Sequence, residues 1–187
     1  MVATASSPEY ARLINPSPLL SIFSPDDNKM KLVARYLMEG RLNLSDEYRN
    51  YDYVYRMLYA YMQDPCSVFY EVGNMQALLG MTGMVPHFKC NVMFKLFDPK
   101  LWGVTFAREV KDFFKLFMDV MHLKRLSTES PDPRIVKMAM IAGFKYEGDR
   151  HNDFLWDGKY YINHLLGITE ITERPTKSEK KKKKRRK

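Results

Sequence analysis

The chain has 187 residues, 45% hydrophobic and 13% aromatic, which is enough to bury one sizeable core and too apolar for disorder throughout. Its formal charge of +8 is local: the basic residues at 177 and 180–187 stand against Glu179 alone, so residues 1–176 are formally neutral. A basic face on the folded part is therefore excluded as the source of that charge, which belongs to a terminal run. Two cysteines, Cys66 and Cys90, suit a reducing compartment better than a disulfide framework. The opening MVATASSPEYARLINPSP lacks a basic segment followed by an uninterrupted apolar one, and no run of about 18 apolar residues is present to span a membrane. A soluble cytoplasmic protein is expected.

In chain order, a short extended or irregular start offers Leu19, Leu20, Ile22 and Phe23 for burial. Ser24-Pro25-Asp26-Asp27 is a helix entry, and Met30, Leu32, Val33, Tyr36 and Leu37 keep a helical spacing up to Gly40. A second helix is predicted from Ser45-Asp46-Glu47, an acidic first turn, through Tyr51, Val54, Tyr55, Leu58 and Tyr61 to the stop at Asp64-Pro65. From Cys66 the period changes to two, giving strands over 67–72, 76–84 and 89–97, with Gly80 and Gly83 inviting bulges in the second. Asp98-Pro99-Lys100 leads into a long amphipathic helix with the stripe Phe106, Val110, Phe113, Phe114, Phe117 and Met121. A short strand over 123–127 precedes a helix entered at 130–133, whose apolar residues are Ile135, Met138, Ala139 and Ala142 and which Gly143 ends. Phe144 opens a final hairpin turned at Asp157-Gly158, one of the stronger short-range hairpin signals.

That order of elements, with the passage DPRIVKMAMIAGFKYEGDRHNDFLWDGKYYINHLLGI, resembles the GNAT-type N-acetyltransferase superfamily. The carriers of the resemblance are Asp132 at a position where relatives have Asn, Gly143-Phe144 at the helix end, Glu147-Gly148 and Arg150. It implies an α/β GNAT fold, with a mixed, splayed sheet flanked by helices, over residues 1–172, and a disordered basic tail over 173–187. It also implies acetyl-coenzyme A as cofactor, with the pantetheine arm against exposed strand backbone at Leu96 and Phe97 and the diphosphate on the amino end of the following helix. The loop that would hold it reads Lys100-Leu101-Trp102-Gly103-Val104-Thr105. Lys100 keeps a positive charge and Gly103 permits close backbone approach, while Trp102 and Thr105 add bulk. Lys100, Trp102, Gly103, Val104, Thr105 and Asp132, with Leu96 and Phe97, are the expected cofactor-binding residues.

Acyl transfer to an amine needs a base for the ammonium and an acid for the departing thiolate. Where many relatives carry a Tyr acid this chain has Ala139, and the strand over 89–97 contains neither Asp nor Glu. His87 or Glu71 as base, Tyr146, Tyr160 or Tyr161 as acid, and Cys90 as nucleophile are the substitutes on offer, each with a structural explanation of its own. His87 and Cys90 lack a second pair at ligand spacing, so no metal is expected.

The reading is thus an acetyl-coenzyme A-dependent N-acetyltransferase acting on a small-molecule or protein amine. The alternative is a catalytically inactive GNAT-fold structural or interaction protein. The Trp102-Gly103 loop is similar to that of some phage-encoded GNAT-like proteins, for which host cytoplasm or the virion would be the location. The rings of Tyr48, Tyr51, Tyr53, Tyr55, Tyr59 and Tyr61 cover more than one helix face and leave a dimer or partner contact open. The terminal basic run, which contains no aromatic residue for base stacking, offers nonspecific attraction to nucleic acid. Removal of residues 177–187 is expected to abolish most salt-sensitive retention on immobilised duplex DNA; undiminished retention would place the binding charge elsewhere.

Overall fold

The computed structural model describes residues 8–39, 50–101, 103–156 and 158–169. A short helix α1 (Pro8–Ala11) and a strand β1 (Leu20–Ile22) precede the helix α2 (Asp27–Glu39). The start expected from sequence as extended or irregular contains an edge strand, paired Leu20↔Val72 to Ile22↔Tyr70. The Asp26 carboxylate accepts the Lys29 amide at 2.8 Å and caps α2. The next helix, α3 (Tyr51–Gln63), begins later than predicted: Asn50, in extended backbone, is its N-cap and accepts the Tyr53 amide. The Ser45-Asp46-Glu47 entry lies outside the described residues. Asp64 ends α3 as expected, taking hydrogen bonds from Ser67 and the Cys66 amide.

Six more strands complete a sheet of seven: β2 (Val68–Val72), β3 (Ala77–Val85), β4 (Lys89–Leu96), β5 (Arg125–Ser130), β6 (Lys145–Trp156) and β7 (Lys159–Ile168). Two further helices, α4 (Val104–Val120) and α5 (Pro133–Ile141), connect β4 to β5 and β5 to β6. Spatial order is β1-β2-β3-β4-β5-β7-β6, and β4 with β5 is the parallel pair among antiparallel neighbours. Among the described residues no helix is long and apolar enough to cross a membrane.

Strand alternation sorts the core into two layers. Phe69 and Leu78 turn to one face and join Val33, Leu37, Val54 and Leu58 of α2 and α3. Their neighbours Tyr70 and Leu79 turn to the other and meet Phe106, Val110, Phe113, Phe114 and Phe117 of α4. The α4 stripe buries on that second face as its spacing predicts, with Tyr70 edge-on to Phe113 at 4.7 Å. Gly143, at φ +105, releases the chain from α5, and Phe144 enters the core edge-on to Phe114. The pairing Trp156↔Lys159 leaves a two-residue loop with Gly158 at φ +70, as the Asp-Gly signal predicts.

The two β3 glycines divide their roles. Gly83, at φ +55, sits in the register break between Thr82 and Val85. Gly80 is no bulge: it pairs regularly with Phe69 and Met93, and a Cβ there would stand 2.7 Å from the Phe69 ring. Gly80→Val is expected to cost about 1–3 kcal/mol by overpacking, read from urea denaturation at unchanged m-value. A neutral result would show that the Phe69 ring has another place to go.

Candidate functional site

β4 and β5 pair at three positions, Lys89↔Arg125, Cys90↔Leu126 and Asn91↔Ser127, and then part. Beyond Asn91 the strand β4 continues along β3 through Ala77↔Leu96, while β5 continues along β7 through Ser130↔His164. At the fork the Thr128 hydroxyl donates to the Val92 carbonyl at 2.8 Å, a side-chain bond where the next backbone rung would stand. The β5-facing edge of the last β4 residues is left without a strand.

Space opens on both faces of this gap. On the face shared with α2 and α3 lies a cleft of about 620 Å³, bordered by Tyr61 and floored by polar side chains of β4 to β7. On the other face a narrow apolar slot runs between α4 and α5, walled by Phe106, Val110, Ile135, Met138 and Ala139. The α5 stripe is therefore only half-buried at Ile135, Met138 and Ala139, in contrast to the fully seated α4. Val92, Phe94, Thr128 and Ile135 line both spaces, so cleft and slot meet at the fork.

Beside the slot, α4 begins at Gly103. That glycine is its N-cap, and among the described residues no side chain accepts a hydrogen bond from the first turn. Val104 and Thr105 are exposed, so Thr105 does not fill the space in front of the helix, and a Cβ at 103 would meet nothing within 4 Å. Free amides and the positive end of a helix dipole favour an anion at such a position. Lys100 stands exposed in the 3-10 turn Pro99–Leu101 just before it. That turn is held by Asp98, whose carboxylate accepts the Lys100 amide at 2.9 Å and the Gln76 side chain at 3.1 Å. Those two bonds hold the Asp98 carboxyl below the usual range. Trp102 lies outside the described residues.

The remaining expected cofactor residues are dispersed. Leu96 ends β4 with its side chain in the core, leaving its backbone for the gap. Phe97 stacks on Tyr36 at 4.9 Å, toward α2. Asp132 is the N-cap of α5 and 3% exposed, with the Arg134 guanidinium on both carboxylate oxygens at 3.0 and 2.6 Å. Burial opposes its charge, yet the Arg134 side-chain and amide hydrogen bonds prevail and keep the carboxyl below its usual range.

None of the substitute catalytic residues borders the cleft. Glu71 is tied to Lys29 at 2.7 Å beside α2. His87, in the β3–β4 turn at the far end of β4, stacks on His122 with ring centroids 5.5 Å apart. Tyr146 is exposed and joined to Asp149, and Tyr160 and Tyr161 are exposed on the terminal hairpin. Cys90 is fully buried, and burial pushes its thiol up to about 12, which removes the thiolate a nucleophile needs. Among the described residues no three His, Cys, Asp or Glu side chains gather as a metal site.

The polar floor of the cleft went unread in sequence. β5 spells Arg-Leu-Ser-Thr-Glu-Ser, and its alternation sends Arg125, Ser127 and Glu129 into the cleft, where Glu147, Arg150 and Asn163 join them. The Arg125 guanidinium donates to Ser127 at 2.9 Å and to Glu147. This pair lies over the bare backbone of Gly167, where a Cβ would collide with both side chains. A strand so polar on one face, deep in a sheet, was the available signal. Of the α3 tyrosines, Tyr53 and Tyr59 are exposed and Tyr61 borders the cleft; Tyr48 lies outside the described residues.

No protein-family model matches the chain, and no curated protein matches it by sequence. Solved structures do match. The spermidine N-acetyltransferase of Vibrio cholerae, in complex with coenzyme A and spermine, aligns at TM-score 0.64 and 16% identity over 81% of this chain and 96% of that one. RimL, a ribosomal L7/L12 alpha-N-protein acetyltransferase in complex with coenzyme A, aligns at TM-score 0.67 and 10% identity over 86% and 99%. The chain has the GNAT acetyltransferase fold, a mixed seven-stranded sheet flanked by helices.

Iodoacetamide at pH 8 is expected to label the exposed Cys66 alone in the native chain and both thiols after unfolding, counted by intact mass. Native labelling of Cys90 would show that its burial does not hold in solution.

Proposed function

We propose that this chain transfers the acetyl group of acetyl-coenzyme A to a primary amine. The observation that carries the reading is the three-rung pairing of β4 with β5, which leaves a strand edge open beside an uncapped helix start. Acetyl-coenzyme A supplies an acetyl group activated as a thioester. The open α4 amides at Val104 and Thr105, with Gly103 and Lys100, would hold its diphosphate. The backbone of β4 up to its end at Leu96 would hydrogen-bond the amides of an extended arm much as an added strand does, whereas the Phe97 N–H is already given to the Gln76 carbonyl on the β3 side. The slot walls Phe106, Val110, Ile135, Met138 and Ala139 exclude water from that arm. Asp132, already spent on capping α5, acts by fixing the slot wall rather than by touching a ligand. The acceptor amine comes from the cleft on the opposite face; its nitrogen attacks the acyl carbon, the C–N bond forms, the C–S bond breaks, and the amine proton leaves to a base. The two solved structures that share this fold are N-acetyltransferases, which supports the class of reaction.

One observation favours a second reading, a GNAT-fold interaction protein without turnover whose basic terminal run engages polyanions. Ala139 and its slot neighbours offer no acidic hydrogen to a departing thiolate. Solvent would have to provide it in an active enzyme.

The test is thermal. Saturating acetyl-coenzyme A is expected to stabilise the chain, by about 2.7 kcal/mol at a hundredfold excess over its dissociation constant. Gly103→Asp separates ligand from fold: a carboxylate at the N-cap suits the helix, worth about 0.3–1 kcal/mol to the unliganded chain, yet occupies the anion seat and abolishes the ligand-dependent shift. No shift in the wild-type chain would remove the acyl-donor site.

A further inference from the structure

The slot between α4 and α5 extends past the fork, as three levels along it show. Its upper end lies at Phe106, close after Gly103, whose ring stands 5.5 Å from that of Phe94 near the end of β4. Its middle lies at the fork itself, lined by Val92 and Thr128. Its lower end is lined by Phe114, Ala142 and Phe144. Lys145 pairs with Gly167, Gly167 with Ser127 and Ser127 with Asn91, so Phe144, just before Lys145, stands at the level of the rungs that β4 and β5 share. From Phe106 to Phe114 is about 12 Å of helix. The lower part therefore runs along the α4 face of the sheet where the sheet is closed.

The lining decides what that lower part can hold. Among the described residues Thr128 is the one polar side chain of the slot, and its hydroxyl is already given to the Val92 carbonyl at 2.8 Å. Phe114, Ala142 and Phe144 are almost fully buried and offer no side-chain donor or acceptor. An amide placed there would lose its water without replacement, whereas a hydrocarbon group would gain by leaving water. Small side chains make the room: Ala107 on α4, and Ala139 and Ala142 on α5. The free space is about 50 Å³, enough for one or two methylene-sized groups at about 30 Å³ each and too little for a fatty chain.

Resting on the acyl-transfer reading, we propose that the lower slot takes the tail of an acyl group longer than acetyl, so that the donors preferred are propionyl- and butyryl-coenzyme A. An arm laid along the open edge of β4 from the start of α4 brings its thioester to the fork. Below the fork the shared rungs close the gap, and a straight continuation of the acyl chain enters the slot on the α4 face. The acyl carbon stays open to the cleft while its tail points away from it. The transfer balances as for acetyl: the free amine nitrogen attacks the acyl carbon, the C–N bond forms, the C–S bond breaks, and one proton passes through solvent from nitrogen to the departing sulfur.

The experiment is a calorimetric titration of the full chain with free coenzyme A and with its acetyl, propionyl, butyryl and octanoyl thioesters. No acceptor is present, so the outcome does not depend on which amine is used. The dissociation constant is expected to fall about fourfold with each methylene from acetyl to butyryl and to rise again at octanoyl. Ala139→Leu, which fills the slot from α5, is expected to make butyryl bind more weakly than acetyl; Ala107→Val applies the same test from the α4 wall should Ala139→Leu fail to fold. Affinity that is level or falling from acetyl to butyryl overturns this assignment and leaves acetyl transfer standing. Affinity still rising at octanoyl, or an unchanged order in a folded slot variant, also overturns it, because the tail then lies outside the slot. Binding of neither free coenzyme A nor any thioester overturns both readings.

Discussion

The architecture depends on one failure of pairing: β4 and β5 share three rungs and no more. A parallel sheet ordinarily zips, because each unpaired backbone group left away from water is costly. Here the first group beyond the fork is satisfied by the Thr128 hydroxyl, and each strand turns to an antiparallel neighbour that holds its other edge. Cleft, slot and open helix end are all arranged around that separation. The apolar layer beneath it, with Leu79 and Val92 from one side and Leu126, Leu166 and Ile168 from the other, keeps the two halves of the sheet together where backbone bonds do not.

Much of this frame was legible in the residues. The change of period at Cys66, the α4 stripe, Gly143-Phe144 and Asp157-Gly158 each rest on local rules, namely alternation, amphipathic spacing, a left-handed helix exit and a tight turn. Those rules operate within a dozen residues. The edge strand β1 was left undecided between extended and irregular for the complementary reason: three residues carry no period, and the strand exists through its tertiary pairing with β2. The start of α3 was misplaced because Asn50 and Ser45 are both good caps in sequence, and tertiary packing decides between such neighbouring starts.

The site was harder to read than the fold because its parts come from strands that are distant in sequence. Arg125 and Glu147 meet over Gly167, and Glu129, Arg150, Asp153 and Asn163 form one polar chain across β5, β6 and β7. Nothing in any single segment announces these contacts. The substitutes Glu71, His87 and Cys90 had suitable chemistry, but Glu71 is engaged by Lys29, His87 sits at the opposite end of β4, and Cys90 is buried as a neutral thiol. The empty position at Ala139, read from the motif, does fall in the slot wall.

Val92, Phe94, Thr128 and Ile135 border the cleft and the slot at once, so the two spaces adjoin at the fork. Cys90, buried as a neutral thiol, lines neither of them. Under the acyl-transfer reading, donor and acceptor would reach that point from opposite faces of the sheet, an arrangement that lets both be present together.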